Sequence, residues 1–181
     1  MTLPTTLPQT WDEQADVVVV GFGAAGFAAS VTAHDLGAEV VIVEKAPEGK
    51  EGGNTRVAGQ GYLNTSSEED AVTYLKALCG EYTVPDVMVR TWAKEMCLNN
   101  AWLTSLGADP QEHQHPPEGI GFPELPGSQC VHKFHDGPTY GYSNTWKCFE
   151  NLVKTRPIRI LYETPGLELI QNGHTGEILG V

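Results

Sequence analysis

Positive charge is scarce in this chain: 11 lysines and arginines stand against 23 aspartates and glutamates, for a formal net charge of −12. No window gathers the basic residues into a stripe that could neutralise successive phosphates, so nucleic acid is not an expected partner. Long apolar runs are also missing. The longest stretch without a charged or strongly polar residue, Val17 to Ala29, is interrupted by three glycines and is shorter than the ~18 residues that a membrane-spanning helix needs. Met1 to Thr10 holds no lysine or arginine, so no cleaved export signal is expected and the default location is cytoplasmic. Cysteine is sparse as well. Cys79, Cys97, Cys130 and Cys148 form no CxxC pair and read as reduced thiols rather than as a disulfide framework.

What is present is an ordinary globular composition, 40% apolar over 181 residues, enough for one sizeable core or one and a part of another. Residues 1–14 carry prolines and threonines without an apolar period and are expected to form an arm. The fold is expected to begin at Ala15. Val17 to Val20 is an unbroken β-branched run, as in a parallel strand covered on both faces. Small and apolar residues recur at helical spacing from Ala24 to Leu36, with Gly37 as the stop. Val40 to Val43 is a second β-branched run, so residues 15–65 open with a βαβ unit.

Pro47 to Gly61, rich in glycine, predicts an extended, backbone-dominated segment. An insertion over 66–141 is expected to hold helices at Glu68–Cys79 and Asp86–Leu106, the second opened by Pro85 and closed by Gly107. Residues 108–141 contain six of the twelve prolines and four histidines, which predicts a long irregular connection. Over 142–181 the pattern returns to a helix, Ser143–Thr155, and three short strands at 158–162, 167–170 and 177–181. Asn172-Gly173 and Thr175-Gly176 supply turn chemistry between the last two.

Gly21-Phe22-Gly23-Ala24-Ala25-Gly26 fits GxGxxG, where the glycines serve a tight turn, close approach to a pyrophosphate and tight helix-to-strand packing. The pattern alone is weak in a chain with 20 glycines; the flanking βαβ pattern gives it weight. The amino end of the helix would meet a diphosphate with N–H groups and a positive dipole, without lysine. Glu44 closes the second strand, where its carboxylate can accept hydrogen bonds from ribose hydroxyls and would repel a 2′-phosphate. These residues leave FAD and NAD as the alternatives.

The run Glu44-Lys45, followed by Gly52-Gly53-Asn54-Thr55-Arg56-Val57-Ala58-Gly59-Gln60-Gly61, resembles the second flavin segment of the fumarate reductase and succinate dehydrogenase flavoprotein superfamily, which includes 3-ketosteroid dehydrogenases. Trp102 to Ala108 resembles the superfamily's WLxSLGA helix end. Thr164 to Ile170 with Gly176 to Val181 is similar to its TPVxELI and GxVxGV strands. The resemblance implies an α/β fold, a Rossmann-type FAD-binding βαβ domain with the start of a mainly helical and irregular capping region. It also implies FAD-dependent hydride transfer to or from a carbon–carbon bond of a small organic substrate.

On that resemblance the cofactor-binding residues are Gly21, Gly23, Ala24, Ala25, Gly26, Glu44, Lys45, Gly52, Gly53, Asn54, Thr55, Ala58, Gly59, Gln60, Gly61 and Gly166. Relatives with covalent flavin place a histidine before the glycine stretch. Here Asn54 and Thr55 stand there, so a non-covalent FAD is implied. Members of the superfamily continue past the GxVxGV strand. The chain is thus expected to be an N-terminal part, completed by a complementary C-terminal chain or subunit; a non-catalytic flavin-binding module and an NAD-dependent dehydrogenase are the alternatives.

His113, His115, His132 and His135 with Asp136 lack metal-ligand spacing, and no metal is expected. His132, His135, Tyr140 and Tyr142 are candidates for substrate hydrogen bonding or proton transfer. Phe122-Pro123-Glu124-Leu125-Pro126-Gly127 resembles a YPELPG segment of 3-ketosteroid dehydrogenases, with Phe122 lacking the phenol. None of Arg56, Arg90, Arg156 and Arg159 is placed as a dicarboxylate clamp, so the substrate stays open.

Overall fold

The structure, a computed structural model, describes residues 8–59, 61–113, 121–138 and 144–181. Its elements in chain order are β1 (Val17–Val20), α1 (Ala24–Asp35), β2 (Val40–Val43), α2 (Gly53–Val57), β3 (Tyr62–Thr65), α3 (Glu68–Cys79), α4 (Asp86–Met96), α5 (Asn99–Leu106), β4 (Pro110–Glu112), β5 (Val131–Asp136), α6 (Asn144–Lys154), β6 (Arg159–Leu161), β7 (Ile170–Gln171) and β8 (Ile178–Gly180). The result is a mixed α/β chain that divides into two units, residues 1–57 with 149–181 and residues 58–148. Among the described residues no helix is long and apolar enough to cross a membrane.

In the first unit β1 and β2 run parallel, Val17 opposite Val40 and Val20 opposite Val43. Parallel neighbours need a crossover, and α1 supplies it. β6 joins the far side of β2, Val41 opposite Arg159, giving the order β1-β2-β6. The central strand β2 is buried along its whole length. β1 departs from the expectation of two covered faces: Val18 is 43% and Val20 55% exposed. The reason is position, because β1 is an outer strand and only the face carrying Val19 meets α1, at Gly26.

Phe27 of α1 stacks on Phe149 of α6 with centroids 4.2 Å apart, and Arg156 holds Asp35 by two hydrogen bonds of 2.7 and 2.8 Å. That pairing keeps the Asp35 carboxyl below its ordinary range. β7 and β8 pair antiparallel and are shorter than the sequence predicts. Their turn is the expected Asn172 type, with the Asn172 Oδ1 accepting from the His174 and Thr175 N–H groups. Pro47–Gly61 is not extended throughout. Gly52 and Gly53 take positive φ, which lets the chain turn and close α2, with the Arg56 N–H returning to the Gly52 carbonyl at 3.3 Å.

The second unit packs α3 and α4 around Ala71, Val72, Tyr74, Val89, Ala93, Cys130 and Val131. Ser67 caps α3, its hydroxyl accepting the Asp70 N–H at 3.2 Å, and Glu68, Glu69 and Asp70 place negative charge in the first turn. Asp86–Leu106 is two helices rather than one. The break falls at Cys97–Leu98 because the next residues are bound elsewhere: the Asn99 amide donates to the Leu63 carbonyl at 2.8 Å and the Asn100 N–H to the Asn64 Oδ1 at 3.0 Å. Nor is 108–141 wholly irregular. Its described part contains β4 and β5, and the antiparallel order β3-β5-β4 puts β5 in the middle.

Gly127 fixes the approach to β5. It has φ +86°, and a Cβ there would lie 2.2 Å from the Asp70 carbonyl and 2.8 Å from the Tyr74 nitrogen. Backbone atoms cannot move aside as a side-chain tip can, so Gly127→Ala combines a forbidden φ with a steric clash. The variant is expected to lose about 3 kcal/mol of stability in urea unfolding, and a loss within experimental error would remove this contact from the account.

Candidate functional site

The residues that the sequence singles out come together at the end of β1. Gly21 turns the chain with φ +92°, and its N–H donates to the Val43 carbonyl at 2.8 Å, anchoring the turn to β2. The Phe22 ring is fully buried beneath it. At Gly26 a Cβ would stand 2.0 Å from the Gly21 carbonyl, so only glycine lets α1 start this close to the turn. At Gly23 a Cβ would meet nothing nearer than the Gly52 carbonyl at 3.5 Å. That is ordinary van der Waals contact with the second glycine segment, so packing alone does not require a glycine there.

The amino end of α1 carries further donors. The Ala24 N–H goes to the Thr55 hydroxyl at 3.2 Å, whereas among the described residues the Ala25 and Gly26 N–H groups meet no acceptor. Unpaired first-turn donors together with the helix dipole favour an anion. In a chain of net charge −12, backbone donors offer an anion a foothold that the sparse lysines and arginines do not.

Glu44 closes β2 and is buried, with 6% exposed. Its carboxylate accepts the Phe22 N–H at 2.6 Å on Oε2 and the Ala46 N–H at 2.7 Å on Oε1. It therefore ties the glycine turn to β2 before any ligand arrives, and each oxygen retains a lone pair for a further donor. Lys45 is exposed beside it. The Gly52 N–H donates to the Phe22 carbonyl at 2.8 Å, so the second glycine segment is hydrogen-bonded directly to the first, with Gly53 and Asn54 exposed and Thr55 half-buried at the start of α2.

Gly166 also lies in this unit. A Cβ there would press on Val20 at 2.9 Å and Val181 at 3.2 Å, so close packing on β1 already requires a glycine. Ala58, Gly59 and Gly61 belong to the other unit, where they are exposed. Gln60 lies outside the described residues, as do His115, Tyr140 and Tyr142.

The described histidines of the second unit, His113, His132 and His135, lie in pairwise contacts. His132 pairs with Glu112 across β5 and β4, Nδ1 to Oε1 at 2.9 Å, and His113 meets His135 edge-on with centroids 6.1 Å apart. Among the described residues no group of three or more His, Cys, Asp or Glu is set to hold a metal ion. A different cluster was not visible in the sequence. Burial, then the nearby Asp136 carboxylate, raises the Tyr62 phenol above its ordinary value and pushes the Cys148 thiol up to about 12. Burial of this kind disfavours the reactive thiolate form of Cys148.

The family model for the FAD binding domain matches residues 16–181. The chain belongs to that family. It is 27% identical to "Fumarate reductase (cytochrome)" of Shewanella frigidimarina over 93% of its own length and 29% of that protein's. It is 39% identical to "3-oxosteroid 1-dehydrogenase" of Mycobacterium tuberculosis over 41% of its length and 15% of the relative's. Its fold matches the 3-ketosteroid-delta4-(5alpha)-dehydrogenase structure from Rhodococcus jostii RHA1 with a TM-score of 0.72, covering 90% of this chain and 40% of that one, at 21% identity. This FAD binding domain chain therefore spans less than a third of the length of these curated relatives.

Glu44 gives a test that needs no ligand. Glu44→Ala would remove the carboxylate that accepts the Phe22 and Ala46 N–H groups and is expected to cost about 2 kcal/mol in urea unfolding of the chain without cofactor. Glu44→Gln, which keeps one acceptor, should cost roughly half as much. Equal stability in all three proteins would show that the carboxylate does not hold the turn.

Proposed function

We propose that this chain is the FAD-binding part of a FAD-dependent oxidoreductase that moves a hydride to or from a carbon–carbon bond of a small organic substrate. The observation that carries the reading is the turn at the end of β1. The Ala25 and Gly26 N–H groups, without an acceptor among the described residues, lie at the tip of a helix that joins two parallel strands, in a chain whose family is named for FAD. These features favour a Rossmann-type βαβ unit.

In the proposal the α1 tip binds the diphosphate, Glu44 accepts from ribose hydroxyls, and Gly52 through Thr55, with Ala58 to Gly61, border the flavin. When bound, the flavin supplies the hydride chemistry, and the protein supplies orientation and electrostatics. Asn54 and Thr55 offer no nucleophilic imidazole, which favours a non-covalent cofactor. The relatives' greater length and their names, fumarate reductase and 3-oxosteroid dehydrogenase, support a complementary C-terminal polypeptide and a small organic substrate. The free cysteines among the described residues fit a reducing, cytoplasmic location.

A visible absorption spectrum tests the reading, first of the purified chain and then of the chain co-purified with the polypeptide encoded downstream of it. Yellow flavin absorbance that separates from the protein on denaturation is expected in at least the second sample. Two colourless samples would refute the proposal. A yellow complex whose flavin no organic substrate or product can reduce or reoxidise would restrict the function to flavin binding.

A further inference from the structure

Val17 to Val20 has the composition of a strand covered on both faces, yet Val18 and Val20 are exposed. β1 is the last strand on its side of the β1-β2-β6 sheet, and among the described residues nothing pairs with its outer edge. Two hydrogen bonds fix the direction of its backbone groups. The Val17 N–H donates to the Glu39 carbonyl at 3.1 Å and the Gly21 N–H to the Val43 carbonyl at 2.8 Å, both on the β2 side. Backbone groups alternate along a strand, so the N–H and C=O groups of Val18 and Val20 point to the open edge.

The β7–β8 hairpin adds apolar surface next to Val20. Gly166, ahead of β7, fits between Val20 and Val181, the residue after β8. Leu167 and Leu169 are 88% and 62% exposed, and Ile178 and Leu179 of β8 are exposed as well. Two paired strands are marginal in water on their own, and apolar side chains beside an unpaired β-edge mark a place where another chain docks. A second copy is a poor occupant, since it would bring a further net charge of −12 and like charges oppose self-association. The relatives point to a different occupant, because most of their length lies outside the part that this chain matches.

We propose that the outer edge of β1 is the docking strand for the complementary polypeptide, which lays a strand parallel to β1 along Val18 and Val20 and covers the apolar side chains beside them. The parallel sense follows the sheet, whose two existing pairings are both parallel. A parallel neighbour reaches its place by a crossover of about a dozen residues or more, which a long polypeptide supplies and a tight hairpin does not. The docked strand is apolar and β-branched, since it lies beside four consecutive valines and a charge there would be buried without a partner. The choice of occupant rests on the proposed reading of this chain as one part of a larger flavoprotein; the open edge does not.

Amide hydrogen exchange, followed residue by residue, tests the edge. In the chain alone the Val18 and Val20 amides should exchange rapidly while the Gly21 amide is slow. In the complex with the polypeptide encoded downstream, Val18 and Val20 should slow by roughly a hundredfold and Gly21 should stay slow. Val18→Lys should leave the urea midpoint of the chain unchanged, because Val18 faces water, and should weaken the complex about tenfold or more by burying a charge. A complex that leaves Val18 and Val20 exchanging freely, or one that Val18→Lys does not weaken, would overturn the inference. So would the absence of any complex, or pairing of two copies at β1 that the polypeptide does not displace. A colourless complex with both amides protected would uphold the docking edge and reject the flavin reading; a yellow complex with both amides unprotected would do the reverse.

Discussion

Where α1 leaves the glycine turn, only a hydrogen atom fits between Gly26 and the carbonyl of Gly21, since a Cβ would stand 2.0 Å away. This close approach fixes how the helix starts, and much else in the first unit follows from it. The helix tip is brought onto the carboxyl ends of the parallel strands, with the Ala25 and Gly26 donors left without acceptors among the described residues. Val19 is covered by the helix while its neighbours Val18 and Val20 face the other way. A helix set even slightly farther out would leave a void over Val19 and carry its dipole away from the turn.

Around that contact the protein uses carboxylates as structural acceptors as much as ligand groups. Glu44 joins the Phe22 and Ala46 N–H groups at the strand end, and Asp16 accepts the Glu39 N–H at the opening of the unit at 2.8 Å. Such bonds from ionised acceptors to backbone donors are short and strong, and they let an acidic chain fold without a matching number of basic residues. The same acceptors hold the turn in shape in the chain by itself.

Short-range chemistry made a large part of this legible. Valine runs, alanine-rich helical spacing and glycines at three fixed offsets specify β1, α1 and β2, because each signal acts within a few residues. The Ser67 cap and the Asn172 turn are equally local. What local signals could not reveal was pairing between distant segments. β5 lies in a region rich in proline and histidine, and it becomes a strand because β3 and β4 flank it on both sides. The helix from Asp86 breaks because Leu63 and Asn64, distant in sequence, claim Asn99 and Asn100.

The sequence by itself determined the glycine turn and the acid at the end of the second strand, since these depend on residue type at fixed spacing, while the flavin-linked class came from its resemblance to a flavoprotein superfamily. Tertiary structure decided which groups are already engaged. Thr55 spends its hydroxyl on the Ala24 N–H, Gly166 is a glycine for the sake of Val20, and Glu51 is buried rather than facing water. Burial and hydrogen-bond partnership are properties of neighbours in space, and a carboxylate carries no mark in the sequence of whether its neighbour will be water, an amide or another acid.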